Sequence, residues 1–105
     1  DESRQLADTI QKAMIRKLRA VDPGIPNLGV KRAPFVVLIG ANMPSVLAEV
    51  SFLSNEHDAT MLSTDAYRDM IVDALFTSIL QYEHSLRPQN CARSRQKSRG
   101  SIIWL

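Results

Sequence analysis

The feature that most restricts this chain is a pair of apolar runs that do not alternate. Phe35-Val36-Val37-Leu38-Ile39 is continuous. Gly40-Ala41-Asn42-Met43-Pro44 interrupts it, and Ser45-Val46-Leu47-Ala48-Glu49-Val50 resumes the same character. A strand with one wet face alternates apolar and polar residues, whereas a short continuous run rich in β-branched residues reads as a strand buried on both faces. Such a sheet needs helices on both sides. The link between the two runs is too short for a helical crossover. Two strands alone would leave at least one edge bare. The chain is therefore expected to supply part of a larger sheet.

The helices that would cover this sheet are marked by periodicity. Leu6, Ile10, Met14 and Leu18 fall at i, i+4 spacing with Ala7, Ala13 and Val21 beside them, so residues 3–20 read as an amphipathic helix with Asp1 or Ser3 as cap. Asp22-Pro23-Gly24-Ile25-Pro26-Asn27 stops it, because proline cannot continue a helix and glycine favours a turn. After the polar break Ser54–Asp58, a short helical turn over 56–62 is expected. Ser63 or Thr64 then caps a longer helix reaching about Leu86, with Tyr67, Ile71, Ala74, Leu75, Ser78 and Tyr82 in one stripe and Pro88 ending it. The expected fold class is α/β, a three-layer α/β/α arrangement. The chain is read as a partial domain with two buried strands and flanking helices.

Charge divides the chain at the same place as pattern. Residues 1–86 carry eight Lys or Arg against all 11 Asp and Glu; residues 87–105 carry five cations and no acid. The net charge of +2 therefore belongs to the tail, and the folded part is mildly acidic, which argues against nucleic acid as a partner. Residues 1–86 read as the domain. Residues 87–105 read as a disordered basic tail ending in the apolar Ile102-Ile103-Trp104-Leu105. With 105 residues and 45% apolar composition the chain is a single globular unit. No apolar run nears the roughly 18 residues needed to cross a bilayer, and the polar start is not that of a signal peptide. The single cysteine, Cys91, excludes an internal disulfide and a cysteine-based zinc site.

Glu49 is the residue that calls for an explanation. It sits at the end of an apolar strand with Leu47, Ala48 and Val50 around it. A buried carboxylate is costly unless paired, hydrogen-bonded or near a metal. Backbone amides, or a lysine such as Lys31, would satisfy it in a purely structural role. The alternative is function: crevices in α/β sheets lie at the C-terminal strand ends, where a desolvated carboxylate suits general acid/base work.

Met43-Pro44-Ser45-Val46-Leu47-Ala48-Glu49-Val50-Ser51-Phe52-Leu53-Ser54-Asn55 resembles the P-x-V-L-x-E-x-G-F-L-S-N stretch of the zinc-dependent N-acetylmuramoyl-L-alanine amidases (the amidase type 3 family). Gly29-Val30-Lys31-Arg32-Ala33-Pro34-Phe35-Val36-Val37-Leu38 resembles their preceding G-V-K-x-A-x-F-x-V-L segment. Ser3-Arg4-Gln5-Leu6-Ala7 resembles the S-x-x-L-A opening of an earlier helix. Asp58–Leu62, Tyr67 and the helix to Tyr82 resemble the family's closing segment, so the likeness spans about residues 3–86. It implies that Glu49 is the catalytic glutamate, activating a zinc-bound water and passing its proton to the leaving amine. The family's zinc ligands, two histidines and a glutamate, have no match here. Position 51 also departs, with Ser51 where the family usually has glycine.

Other constellations are weaker. His57 is expected in a loop and His84 near a helix end, and neither has the company a zinc site needs. Gly40 lacks the rest of a G-x-G-x-x-G fingerprint, and Ser45 and Ser51 lack a G-x-S-x-G context. The resemblance thus implies the C-terminal portion of a peptidoglycan hydrolase, periplasmic or wall-associated. Zinc is implied in the intact domain but not bound by this chain alone, and no cofactor contact is assigned to any residue here. The competing reading is a non-catalytic, degenerate amidase fragment that binds cell wall or protein. In either case the exposed sheet edge is expected to favour self-association.

Overall fold

A computed structural model describes residues 2–87 and 101–104, with only the backbone described at Trp104. The elements run α1 (Glu2–Arg19), β1 (Gly29–Lys31), α2 (Val36–Ile39), β2 (Val46–Glu49), α3 (Glu56–Leu62), α4 (Asp65–Leu86) and β3 (Ser101–Trp104). Mixed helices around a small sheet make this an α/β protein.

The helices follow their sequence signals. α1 places Ala7, Ile10, Met14 and Leu18 in the interior, as the i, i+4 spacing requires. Its last turn carries Arg16, Lys17 and Arg19, favourable for the helix dipole. Ser3 does not cap; its hydroxyl accepts the Ser45 N–H at 3.0 Å and ties α1 to the start of β2. The chain then turns as Asp22 N–H donates to the Leu18 carbonyl at 2.9 Å and Ile25 N–H to the Asp22 carbonyl at 3.2 Å. α3 is capped by Asn55, whose side chain accepts the Asp58 N–H at 3.0 Å. Thr64 does the same for α4 with the Tyr67 N–H at 3.3 Å. Such caps typically contribute about 1 kcal/mol each.

α4 packs along α1 through Tyr67, Ala74, Ser78 and Tyr82, all buried. Lys17 and Asp73 form an ion pair between the two helices. α1 also lies on the sheet, and one core joins Ala7, Ile10, Met14 and Leu18 to Tyr67, Ala74 and Ile103.

The sheet corrects the expectation in three places. Its strand order is β1-β3-β2, so Ser101–Trp104 is the central strand rather than part of a disordered tail. β3 runs antiparallel to β1 and parallel to β2. Ile102 and Ile103 are among the most buried residues. Two β-branched isoleucines at the chain's end find a better environment between two strands than in water. The basic residues of 88–100, with Cys91, lie outside the described residues.

The run Phe35–Ile39 is not a strand. Leu38 N–H and Ile39 N–H return to the Phe35 carbonyl at 2.9 and 3.1 Å, closing the single helical turn α2. Those bonds commit the Leu38 and Ile39 N–H groups and the Phe35 carbonyl to a local turn instead of a sheet. Only Leu38 is buried; Val36, Val37 and Ile39 are 87, 72 and 68% exposed. The run Ser45–Val50 does form a strand, β2, but at a sheet edge, and it is half-buried along its length rather than covered on both faces.

Candidate functional site

Glu49 is the last residue of β2, paired in register with Trp104 of β3. Side chains alternate across a strand, so Leu47 and Glu49 share a face with Ile102 of the neighbouring strand. Val46 and Ala48 lie on the other face with Ile103, toward the core that α1 fills. Glu49 therefore faces away from α1. Its side chain is half-buried, and its Oε2 is enclosed without a hydrogen-bond partner among the described residues. Lys31, the expected compensating cation, is on β1, with β3 lying between. Burying a polar atom unpaired costs about 1–3 kcal/mol, so native structures tolerate it where strain or chemistry demands it.

The segment after Glu49 is held at several points. Ser51 has a φ of 66°, the left-handed region that glycine enters freely and serine does not. Phe52 N–H donates to Asp58 Oδ2 at 3.0 Å, and Asn55 N–H to the Phe52 carbonyl at 3.0 Å. His57, in the first turn of α3 rather than in a loop, sets its Nε2 2.7 Å from Asp22 Oδ2.

Tyr67 gathers these groups electrostatically. Burial pushes its pKa up, the Ser51 hydrogen bond pulls the other way, and the charges of Asp22 and Asp58 push it up further. Asp22, Ser51 and Asp58 thus all bear on Tyr67, although they come from the α1–β1 turn, the β2–α3 loop and α3, and Tyr67 from α4. Sequence pattern places Tyr67 in a core stripe and gives Asp22 and Asp58 no site role. Only the Asn55 and Asp58 spacing, which fits a helix cap, hints at order in this loop.

One candidate from the sequence stays apart from this cluster, and another cannot be placed against it. His84 is in the last turn of α4, and Cys91 is outside the described residues. Among the described residues no three His, Cys, Asp or Glu side chains converge to hold a metal.

The sequence model of the N-acetylmuramoyl-L-alanine amidase family matches residues 1–81. The chain belongs to that family. Glu49, Ser51, Asp58 and Tyr67 all fall inside the matched stretch, and β3 falls outside it. Among its relatives, the uncharacterized protein YqiI of Bacillus subtilis is 37% identical over 82 residues, which is 78% of this chain and 37% of YqiI. The N-acetylmuramoyl-L-alanine amidase LytC of the same organism is 35% identical over 80 residues, 76% of this chain and 15% of LytC. AmiA of Escherichia coli, also an N-acetylmuramoyl-L-alanine amidase, is 32% identical over 76 residues, 72% of this chain and 26% of AmiA. The amidase-family chain thus spans well under half the length of these curated relatives. No solved structure matches it.

Proposed function

We propose that this amidase-family chain is the C-terminal portion of a peptidoglycan hydrolase and that Glu49 is its general acid/base. The observation that carries this is the enclosed, unpartnered Oε2 of Glu49 at the C-terminal end of β2, inside the stretch that matches the family. A carboxylate oxygen without an internal partner is free to take a proton from a water attacking the amide carbonyl. The same carboxyl then returns that proton to the amine of L-alanine as the C–N bond to the N-acetylmuramoyl group breaks. Proton transfer of this kind typically contributes about 10²–10⁴-fold to rate.

The family resemblance implies zinc, and the described residues do not supply a ligand set for it. We place the ligands in the part of the domain that this chain does not contain, in keeping with the small share of each relative that it matches. Alone, the 105 residues are expected to bind no zinc tightly and to leave peptidoglycan intact. In the intact domain the sheet gains strands at its open edges and helices on the face that Glu49 shares, giving the three-layer form. Other relatives that carry the name cell wall amidase support a place in the periplasm or cell wall. No helix among the described residues is long and apolar enough to cross a membrane.

The bond cleaved is the test. Purified peptidoglycan is treated with a longer protein that carries this chain, and with the chain alone. The proposal expects new L-alanine amino termini and no new reducing sugar ends from the former, and neither product from the latter. New reducing ends would indicate glycosidic cleavage and overturn it.

A further inference from the structure

We propose that the cleft between α1 and α4 binds the phosphate groups of an extended, soluble polyanion, with Lys12 and Arg16 as its cationic anchors. The cleft holds about 430 Å³ and, among the described residues, is lined by Thr9, Lys12 and Arg16 of α1 and Gln81 of α4. Glu49 faces away from α1. The cleft is therefore separate from that carboxylate and stands whether or not Glu49 is catalytic.

Positions 9, 12 and 16 are three and four residues apart, so their side chains are neighbours on one strip of α1. Ile10, Ala13 and Met14 are buried on the packed side of the helix, while Lys12 and Arg16 are exposed. The two cations sit about one turn apart, a rise of roughly 6 Å. Acids on the same two helices are engaged elsewhere: Asp8 pairs with Arg4 at 3.8 Å, and Asp73 pairs with Lys17. Among the described residues, no carboxylate pairs with Lys12 or Arg16. Residues 1–86 carry more acid than base, so two uncompensated cations in one cleft are a local exception. The helix dipole favours Arg16, which is in the last turn. Lys12 lies before that turn, where the dipole acts little.

The lining suits phosphate. A cleft carrying one sign of charge concentrates ions of the other. Arginine offers a planar fork that matches phosphate oxygens, and lysine adds a compact charge. The Gln81 amide brings neutral donors from the second helix. Thr9 commits its hydroxyl proton to the Gln5 carbonyl at 2.9 Å, so it shapes the cleft rather than donating to a ligand. None of the described lining residues is aromatic or aliphatic, so the cleft offers no platform for a base and no seat for an acyl chain. That favours a soluble phosphate polymer over nucleic acid or a lipid surface.

The test titrates the 105-residue chain with inorganic polyphosphate at low salt, following backbone amides by NMR and affinity by calorimetry. In the wild type the amides of Lys12, Arg16 and Gln81 should shift most. Lys12→Gln with Arg16→Gln should weaken binding at least about tenfold, the scale of hydrogen bonds to charged groups. Gln81→Ala changes no charge and should weaken it about two- to tenfold, the scale of one neutral hydrogen bond. The control Arg95→Gln with Lys97→Gln removes the same charge and should leave the shifts at 12, 16 and 81 in place. An equal loss of affinity in that control, or shifts confined to residues 87–105, would overturn the proposal, because binding would then follow net charge alone. Unchanged affinity in Gln81→Ala would overturn it too. Phosphatidylglycerol vesicles form the second arm. Vesicle binding lost in the Lys12/Arg16 variant while polyphosphate binding survives would overturn the choice of a soluble polymer. The wild-type titration needs no substitution, so a variant that fails to fold still leaves a decisive result.

Discussion

His57 Nε2 lies 2.7 Å from Asp22 Oδ2, joining the first turn of α3 to the turn that closes α1. The imidazole is 64% exposed, so the pair itself stabilises little. Asp22 matters more through its charge, which with Asp58 raises the pKa of the buried Tyr67.

Tyr67 should make the fold sensitive to alkali. Its folded pKa is raised above the ordinary 10.0, mainly by burial, so the folded state holds the phenolic proton after the unfolded chain releases it. The associated stability is fully present below pH 10.0 and is lost as pH rises from there through the folded pKa. Denaturation followed against pH should show this loss, and Tyr67→Phe should flatten it. Asp22→Asn should lower the Tyr67 midpoint in an ultraviolet titration; a rise would contradict the electrostatic assignment.

Ser51 gives a test of backbone strain. Ser51→Ala keeps the left-handed penalty, whereas Ser51→Gly removes it. The left-handed region costs a residue with a Cβ about 1–2 kcal/mol, offset in part by glycine's larger entropy loss on folding. The glycine variant should therefore be the more stable of the two, by about 1 kcal/mol in urea denaturation.

The helices are legible in the sequence because their signals are local. The i, i+4 stripe of Leu6, Ile10, Met14 and Leu18 and the caps Asn55 and Thr64 need no distant partner to be read. The sheet is not legible, because a strand's place depends on pairing across the chain. Val36, Val37 and Ile39 have strand composition and sit in an exposed helical turn; Ile102 and Ile103 follow a basic stretch and sit in the centre of the sheet. Glu49 can be picked out by its apolar neighbours and its motif. That its Oε2 lacks a partner among the described residues, and that Asp22 and Asp58 both bear on Tyr67, depends on tertiary geometry.

If β3 is the central strand, its isoleucines belong to the core. Ile103 is 0% exposed and joins the cluster built by α1 and α4. Ile103→Ala should cost about 2–5 kcal/mol, as large-to-small core changes do. A change below about 0.5 kcal/mol, the range of surface substitutions, would mean that the segment is not packed there.

Among the described residues, the fold leaves sheet edges and apolar side chains open. β1 and β2 are sheet edges, and Val36, Val37, Val72, Phe76 and Ile79 are exposed. α4 is apolar on its outer side as well as toward α1, the pattern of a helix covered on both sides. Sedimentation velocity at micromolar concentration should show dimers or larger species. A single monomeric boundary with a sharp, reversible melt would contradict the expectation of exposed, unpartnered edges.

The most direct test of the account is Glu49→Gln in an active background, such as AmiA of Escherichia coli with its matched stretch replaced by residues 1–81 of this chain. Glutamine keeps the shape of the side chain and removes its capacity to accept a proton. The account predicts unchanged zinc content and unchanged folding, with cleavage of the N-acetylmuramoyl-L-alanine bond lowered by about 10²–10⁴-fold. Cleavage by the glutamine chimera at the rate of the Glu49 chimera would contradict the assignment of Glu49 as the group that moves the proton.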